Sequence, residues 1–205
     1  MRSRIVLSLV AVVAALALVA GCAKAPDQAR IDAVKAAVQA AKAAEADRYV
    51  PQQYAAANDS LNAALAEIEK QNGKFALFRK YGVAEHLLQV AEEKAKEAAQ
   101  AAAVKKEEVK NEATGLIQQA TDAIAQAKKL FNKAPRGKEG RQALELIKSD
   151  LGVVDNTIAE ANAAMEKGDY LTARDKAKAA MDKANALVNE LQEVISKKAA
   201  LTKKK

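Results

Sequence analysis

The fold is decided by residues 144–165, which read LELIKSDLGVVDNTIAEANAAM. Their apolar side chains recur after three and then four residues, the spacing of one face of a coiled-coil helix. A turn is predicted at Gly168 and Asp169, where Asp169 is expected to cap a second helix with the same spacing. The two stripes consist of Leu144, Ile147, Leu151, Val154, Ile158, Ala161 and Met165, followed by Tyr170, Ala173, Ala177, Ala180, Ala184, Leu187, Leu191 and Val194. Residues 141–198 are therefore predicted to form a helical hairpin with a coiled-coil seam.

The chain before this hairpin is also predicted to be helical over residues 27–131. Asp27 is expected to cap a helix that runs to about Arg48. Pro51 suits the first turn of a second helix, which Asn72 and Gly73 end. These two helices are predicted to be antiparallel.

A long helix is predicted from about Phe75 to Phe131, because no proline interrupts this segment. Its alanine-rich middle, residues 95–103, either packs closely against a partner helix or stays solvated. The second half carries an apolar stripe of Val109, Ala113, Leu116, Ala120, Ala123, Ala127 and Leu130. Proline and glycine at residues 132–140 predict an exposed loop, and residues 199–205 form a basic tail.

The composition supports an all-α fold. Alanine makes up roughly a quarter of the 205 residues, aromatic residues 3%, and tryptophan is absent. Because an alanine buries little apolar area, stability must come from many contacts along extended interfaces. We therefore expect an elongated helical bundle, built from coiled-coil hairpins and one long central helix.

The first 21 residues have the organisation of an export signal. A short positive segment, Met1–Arg4, precedes the apolar run Ile5–Ala20, which is short for a membrane span. A signal peptide at residues 1–21 is predicted. The alternative is an uncleaved anchor in which the cysteine that follows is incidental.

The residues Val19, Ala20, Gly21 and Cys22 resemble the lipobox of bacterial lipoproteins. This resemblance implies cleavage before Cys22, diacylglycerol on its thiol and a further acyl chain on the new amino terminus, with residues 22–26 as a tether. Several acyl chains give stable anchoring. Ala23 after the cysteine implies delivery to the outer membrane, facing the periplasm, by the sorting rule of enteric bacteria.

Longer elements carry further resemblances. The lipobox, YVPQQYA at residues 49–55 and GDYLTAR at 168–174 are similar to alanine-rich bacterial envelope lipoproteins that have no assigned function. The stretch KGDYLTARDKAKAAM, residues 167–181, resembles the second helix of a tetratricopeptide repeat, with small residues at Ala173, Ala177 and Ala180. That likeness implies an alternative function as a helical module that binds a protein or peptide.

The last five residues, LTKKK, provide another comparison. They resemble the lysine-ending terminus of the murein lipoproteins of enteric bacteria. That likeness implies a second alternative, in which Lys205 attaches the chain to peptidoglycan.

The sequence predicts no catalysis. It contains no GxxxxGK[ST], GxGxxG, GxSxG or HExxH motif. His86 is the single histidine and is expected on a helix face, and carboxylates such as Glu92 and Glu107 stand beside lysines, as surface ion pairs do. Neither an enzyme nor a metal or other cofactor is expected.

The net charge of +7 favours an anionic envelope surface as a partner. Nucleic acid is not expected, because aromatic and basic residues do not alternate as they do in single-strand-binding proteins. Envelope proteins or peptidoglycan are the expected partners, and self-association stays open. The single cysteine excludes an internal disulfide framework.

The densest aromatic stretch contains Phe75, Phe78 and Tyr81, with Arg79 and Lys80 among them. We expect these aromatic side chains to fill the end of the bundle. The alternative is a partner-binding patch, to which Tyr170 is a further candidate. Together these observations predict a lipid-anchored periplasmic envelope protein with a structural or adaptor role.

Overall fold

The computed structural model describes residues 24–136 and 141–202, and all regular structure in these ranges is helical. The predicted all-α fold with one long helix is confirmed. The elements are α1 (Gln28–Ala43), α2 (Ala46–Tyr49), α3 (Pro51–Asn72), a 3₁₀ turn (Ala76–Phe78), α4 (Gly82–Lys133), α5 (Arg141–Glu166) and α6 (Tyr170–Thr202).

The chain divides into two compact units between Lys105 and Lys106. This boundary lies inside α4, which contributes its first part to unit 1 and its second part to unit 2. Unit 1 also contains α1, α2 and α3, and unit 2 contains α5 and α6. Nothing in the sequence pattern indicated a division inside a continuous helix.

Unit 1 is built from three long helical segments. The short connection at residues 44–50 makes α1 and α3 antiparallel, and they pack together. Side-chain bonds from Tyr81 to Asn72 and from Lys94 to Ser60 show that α3 and α4 are also antiparallel. The direction of α1 is therefore that of α4. The buried stripes are Ile31, Val34, Val38 and Ala41 on α1, Ala57, Leu61, Ala64 and Ile68 on α3, and Ala84, Leu88, Ala91, Ala95, Ala98 and Ala102 on α4.

The alanine-rich middle of α4 packs rather than remaining solvated. Ala95, Ala98 and Ala102 have an exposed fraction of 0%. Because a methyl side chain is small, neighbouring helices can approach closely, and backbone atoms as well as side chains contribute to the contact.

The connection from α1 to α3 differs from the predicted helix to Arg48. α1 ends at Ala43, and Glu45 has a φ of 60°, in the left-handed region. The next residues form the short α2, in which Ala46 and Tyr49 are buried. Burial of these two side chains turns the chain earlier than its helical pattern indicates.

The predicted helix ends are confirmed for α3 and partly wrong for α1. Pro51 lies in the first turn of α3, and Gly73 follows its last residue. Asp27 stands at the start of α1, where its carbonyl oxygen accepts bonds from the N–H groups of Arg30 and Ile31. Its carboxylate makes no capping hydrogen bond.

The long helix begins seven residues later than predicted, at Gly82 instead of Phe75. Residues 75–81 instead form the 3₁₀ turn and extended backbone that follow α3. The reason is a set of hydrogen bonds, because Arg79 and Lys80 bond back to the end of α3. These bonds are incompatible with a continuous helix through the same residues.

Unit 2 contains the predicted hairpin of α5 and α6, but α6 continues to Thr202, so the prediction that residues 199–205 form a tail is wrong for residues 199–202. Lys183 pairs with Asp150 at 2.6 Å and Lys176 with Glu160 at 2.5 Å, which fixes the antiparallel arrangement. The second part of α4 packs on the hairpin. The shared core contains Ala120, Ala123, Ile124, Ala127, Leu144, Ile147, Leu151, Val154, Ala180, Ala184, Leu187, Val188 and Leu191.

The hairpin turn lies where the sequence places it. Gly168 has a φ of 75°, which glycine adopts without steric cost. Asp169 then donates its N–H to the carbonyl of Ala164 at 2.9 Å and accepts from Ala173 at 3.0 Å through its own carbonyl. These backbone bonds close α5 and open α6.

We expect enlargement of the alanine seam to destabilise unit 2. Ala180 is 1% exposed, whereas the adjacent Ala179 is exposed. Ala180→Leu should lower the free energy of unfolding by about 1–3 kcal/mol because the extra atoms have no space. Ala179→Leu should change it by less than about 0.5 kcal/mol. Urea unfolding followed by circular dichroism measures both, and equal effects would contradict the assigned seam.

The ion pair between Arg30 of α1 and Glu92 of α4 predicts a pH dependence. Hydrogen bonds from Lys96 and from Arg30 lower the pKa of Glu92 below its ordinary value. Because the folded pKa is the lower one, this stabilisation is present above the unfolded pKa and is lost as the pH falls through the folded pKa. Glu92→Gln should thus reduce the free energy of unfolding at pH 7, by less than about 1 kcal/mol.

Below about pH 4 the difference between Glu92→Gln and the wild type should shrink toward zero. Urea unfolding at pH 7 and pH 3 measures this difference. Glu97→Gln, an exposed change on the same helix, is the control for loss of a carboxylate. A Glu92→Gln effect that is the same at both pH values would count against the ion pair.

Candidate functional site

The candidate site is the connection between α3 and α4, residues 73–81, which we call the aromatic loop. It reads GKFALFRKY. Phe75, Leu77 and Phe78 are 69%, 82% and 68% exposed, and the two phenylalanine rings lie 6.3 Å apart, centroid to centroid. These three residues are the apolar triad. Apolar side chains that project together from a surface are typical of a contact site.

The expectation that the aromatic side chains fill the end of the bundle is wrong for Phe75 and Phe78. Both lie in or beside the 3₁₀ turn, outside the helices that form the core. Tyr81 is 3% exposed and does pack there. Leu77, the most exposed of the triad, was missed by sequence reasoning, although its place between two phenylalanines was a usable signal.

Arg79 holds the aromatic loop in shape. Its guanidinium donates to the carbonyl oxygens of Lys74 and Asn72, each at 2.9 Å. The N–H of Phe78 also donates to the carbonyl of Phe75 at 2.9 Å. The side chain of Arg79 thus replaces the backbone partners that a helix would have supplied.

Polar side chains at the end of α3 complete this support. Gln71 is 4% exposed, and its carboxamide oxygen accepts the N–H of Lys80 at 3.0 Å. Its amide group donates to Glu67, and this bond is the main cause that lowers the pKa of Glu67. The hydroxyl of Tyr81 donates to the side-chain oxygen of Asn72. The triad therefore projects from an ordered base.

The aromatic loop is also basic. Residues 73–84 contain Lys74, Arg79 and Lys80 and no acidic residue. Lys74 and Lys80 are exposed, and Arg79 is half-buried. The surface around the apolar triad therefore favours an anionic partner.

Tyr170 does not belong to this site, since it lies in unit 2. It is half-buried at the start of α6, and the ammonium groups of Lys106 and Lys110 each lie 6.0 Å from the centre of its ring. These are cation–π contacts with α4. They give Tyr170 a packing role within unit 2.

Other features of the described residues do not form a deep site. An open depression of about 320 Å³ between α4 and α6 is lined by both polar and apolar groups, from Gln119, Asp122, Ala123, Gln126, Met181 and Asn185. Ligand cavities are mostly apolar and more enclosed.

His86 is exposed on α4, as predicted. Within residues 24–136 and 141–202, no three His, Cys, Asp or Glu side chains are grouped to hold a metal ion.

The remaining sequence-predicted sites lie outside the described residues. These are Cys22, the residues Val19, Ala20 and Gly21 before it, and Lys205. Among the helices that the structure does describe, none has both the length and the hydropathy needed to span a bilayer.

Comparisons with protein-family models, curated proteins and solved structures found no match.

We expect Arg79→Ala to loosen the aromatic loop. The change removes both bonds to Lys74 and Asn72, so backbone amides in the loop should exchange with deuterium about tenfold faster, equivalent to roughly 1.4 kcal/mol. Lys80→Ala is the matched control, because it removes the same charge while the bond of Lys80 to Gln71 uses the backbone. Equal exchange in the two variants would contradict the role of Arg79.

Proposed function

We propose that this chain is a lipid-anchored protein of the bacterial envelope whose helical body has a structural or adaptor role and catalyses no reaction. The observation that carries the proposal is the lipobox-like sequence Val19, Ala20, Gly21 and Cys22 at the end of an apolar leader. A thiol in this context is the acceptor of a diacylglycerol group, which gives Cys22 its chemical role.

The short distance from Cys22 to the folded body supports this proposal. Pro26 is already buried, and α1 begins at Gln28. Four residues of extended chain from Pro26 back to Cys22 span at most about 14 Å. An anchor at Cys22 would therefore hold unit 1 close to the membrane surface.

Ion pairs between neighbouring helices fit a structural role for the helical body. Asp150 and Asp155 bind Lys183 and Lys128 on neighbouring helices, and Glu160 binds Lys176. Such cross-helix pairs at a surface stabilise helix packing modestly and provide solubility. Their pattern fits a body that presents helical surfaces to other envelope components.

The location that we propose is the outer membrane, with the helical body in the periplasm. Ala23 follows the cysteine, where an aspartate would retain an enteric lipoprotein in the inner membrane. The partners that fit this location are envelope proteins, peptidoglycan or a second copy of the chain.

Replacement of the acceptor thiol tests the proposal. Cys22→Ser should abolish incorporation of an alkyne-labelled fatty acid and cleavage before residue 22, because serine offers no thiol for the lipid. The labelled protein is measured by in-gel fluorescence after growth with the fatty acid. Wild-type protein should fractionate with outer-membrane markers in a density gradient.

Ala23→Ser is the matched control, since it introduces the same residue at the next position and leaves Cys22 in place. It should retain the lipid and the cleavage. The proposal fails if Cys22→Ser still incorporates the fatty acid, or if wild-type protein incorporates none.

A further inference from the structure

The aromatic loop and the first described residues lie at the same end of unit 1. The loop joins the end of α3 to the start of α4, and α1 is antiparallel to α3. The beginning of α1 must therefore be at the loop end. The contact of Arg30 with Glu92 sets the offset, because Glu92 is ten residues from the start of α4 at Gly82.

This offset can be converted into a distance along the axis of unit 1. Ten residues of helix correspond to about 15 Å along the axis, which separates the level of Arg30 from that of Gly82. Asp27 lies three residues before Arg30 and is therefore about 4.5 Å closer to the loop end. The start of α1 thus lies about 10 Å from the level of Gly82. The chain from Pro26 to Cys22 is long enough to cover that distance.

The exposure of the apolar triad is suited to insertion into a lipid bilayer. Phe75, Leu77 and Phe78 project outward instead of lining a groove, each with more than two thirds of its surface exposed. Aromatic and leucine side chains of this kind enter the boundary between headgroups and acyl chains without a matching pocket. Because Arg79 and Gln71 already order the loop, insertion costs little conformational entropy.

The charge of the loop indicates the kind of lipid. Lys74, Arg79 and Lys80 flank the triad along the chain, the side chains of Lys74 and Lys80 are exposed, and residues 73–84 contain no acidic residue. Basic side chains beside inserted apolar groups bind anionic headgroups. A zwitterionic surface offers no net charge for them.

We propose that the aromatic loop is a second membrane contact, which inserts Phe75, Leu77 and Phe78 into an anionic phospholipid surface beside the lipid on Cys22. The inference rests on the proposed lipid anchor. The two contacts would hold the loop end of unit 1 at the bilayer and fix its orientation there, whereas the lipid on Cys22 alone would be a single point of attachment.

A fluorescent probe on Leu77 tests this proposal. The lipidated full chain has no other free thiol, because Cys22 is its single cysteine, so Leu77→Cys accepts one environment-sensitive fluorophore. The protein is reconstituted into vesicles of phosphatidylcholine with about a third phosphatidylglycerol. Nitroxide lipids should quench the probe at residue 77 at least about twofold more than a probe at residue 104.

Val104→Cys is the matched control, since Val104 is an aliphatic residue on α4 that is 62% exposed and lies 22 residues beyond Gly82. Its probe should show a water-like emission maximum and be quenched by iodide. Equal iodide quenching and equal nitroxide quenching at residues 77 and 104 would overturn the proposal, including the case in which the loop binds a protein instead.

Charge reversal provides a second measurement. Lys74→Glu combined with Lys80→Glu should reduce nitroxide quenching at residue 77 in the anionic vesicles at least about twofold, because the basic side chains no longer attract phosphatidylglycerol. Circular dichroism checks that the helices are intact. Unchanged quenching would contradict the assignment of anionic lipid.

The intact mass of the purified protein separates this proposal from the proposed function. A mass that lacks diacylglycerol on Cys22 means that the anchor is wrong. A lipidated protein with a water-exposed residue 77 means that the anchor is right and the loop contact is wrong.

Discussion

The close approach of helices along alanine seams is the constraint on which both units depend. Alanine side chains such as Ala98 and Ala184 are completely buried, yet each removes little apolar surface from water. The stability of the fold must therefore come from small contributions at many positions. This requires long helices in which apolar residues recur without interruption after three and four residues. Bulkier residues such as Leu88 and Leu191 occur at intervals in the same stripes and fill the wider spaces. The single helix α4 supplies a stripe to each unit.

Helix packing was predictable from the sequence because it follows a local period. The stripe from Leu144 to Val154 needs only the spacing of apolar residues to be recognised, and each of its members is buried. The beginning of α4 was not predictable in this way. It depends on bonds from Arg79 and Lys80 to residues seven to nine positions earlier, and helix propensity contains no information about them. The left-handed residue Glu45 likewise depends on the burial of Ala46 and Tyr49.

The exposure of the aromatic loop was likewise not predictable from the sequence pattern. Composition alone favoured burial for Phe75 and Phe78, because aromatic residues usually supply core area. Their exposure follows from the position of the helix boundary, which a sequence period does not give. The exposed loop carries three basic residues and lies at the end of unit 1 where α1 begins. Together these two features favour a contact with the membrane. With a covalent lipid and an inserted loop at one end, as we propose, unit 1 would have a defined orientation at the membrane.

The lipid that we propose on Cys22 can be tested on the amino-terminal peptide of the mature protein. The protein is taken from native membranes, digested and analysed by mass spectrometry. We expect a peptide that begins at Cys22 and carries diacylglycerol on the thiol, with a further acyl chain on the amino group. A peptide that begins at another residue, or one that contains Cys22 as a free thiol, would contradict it.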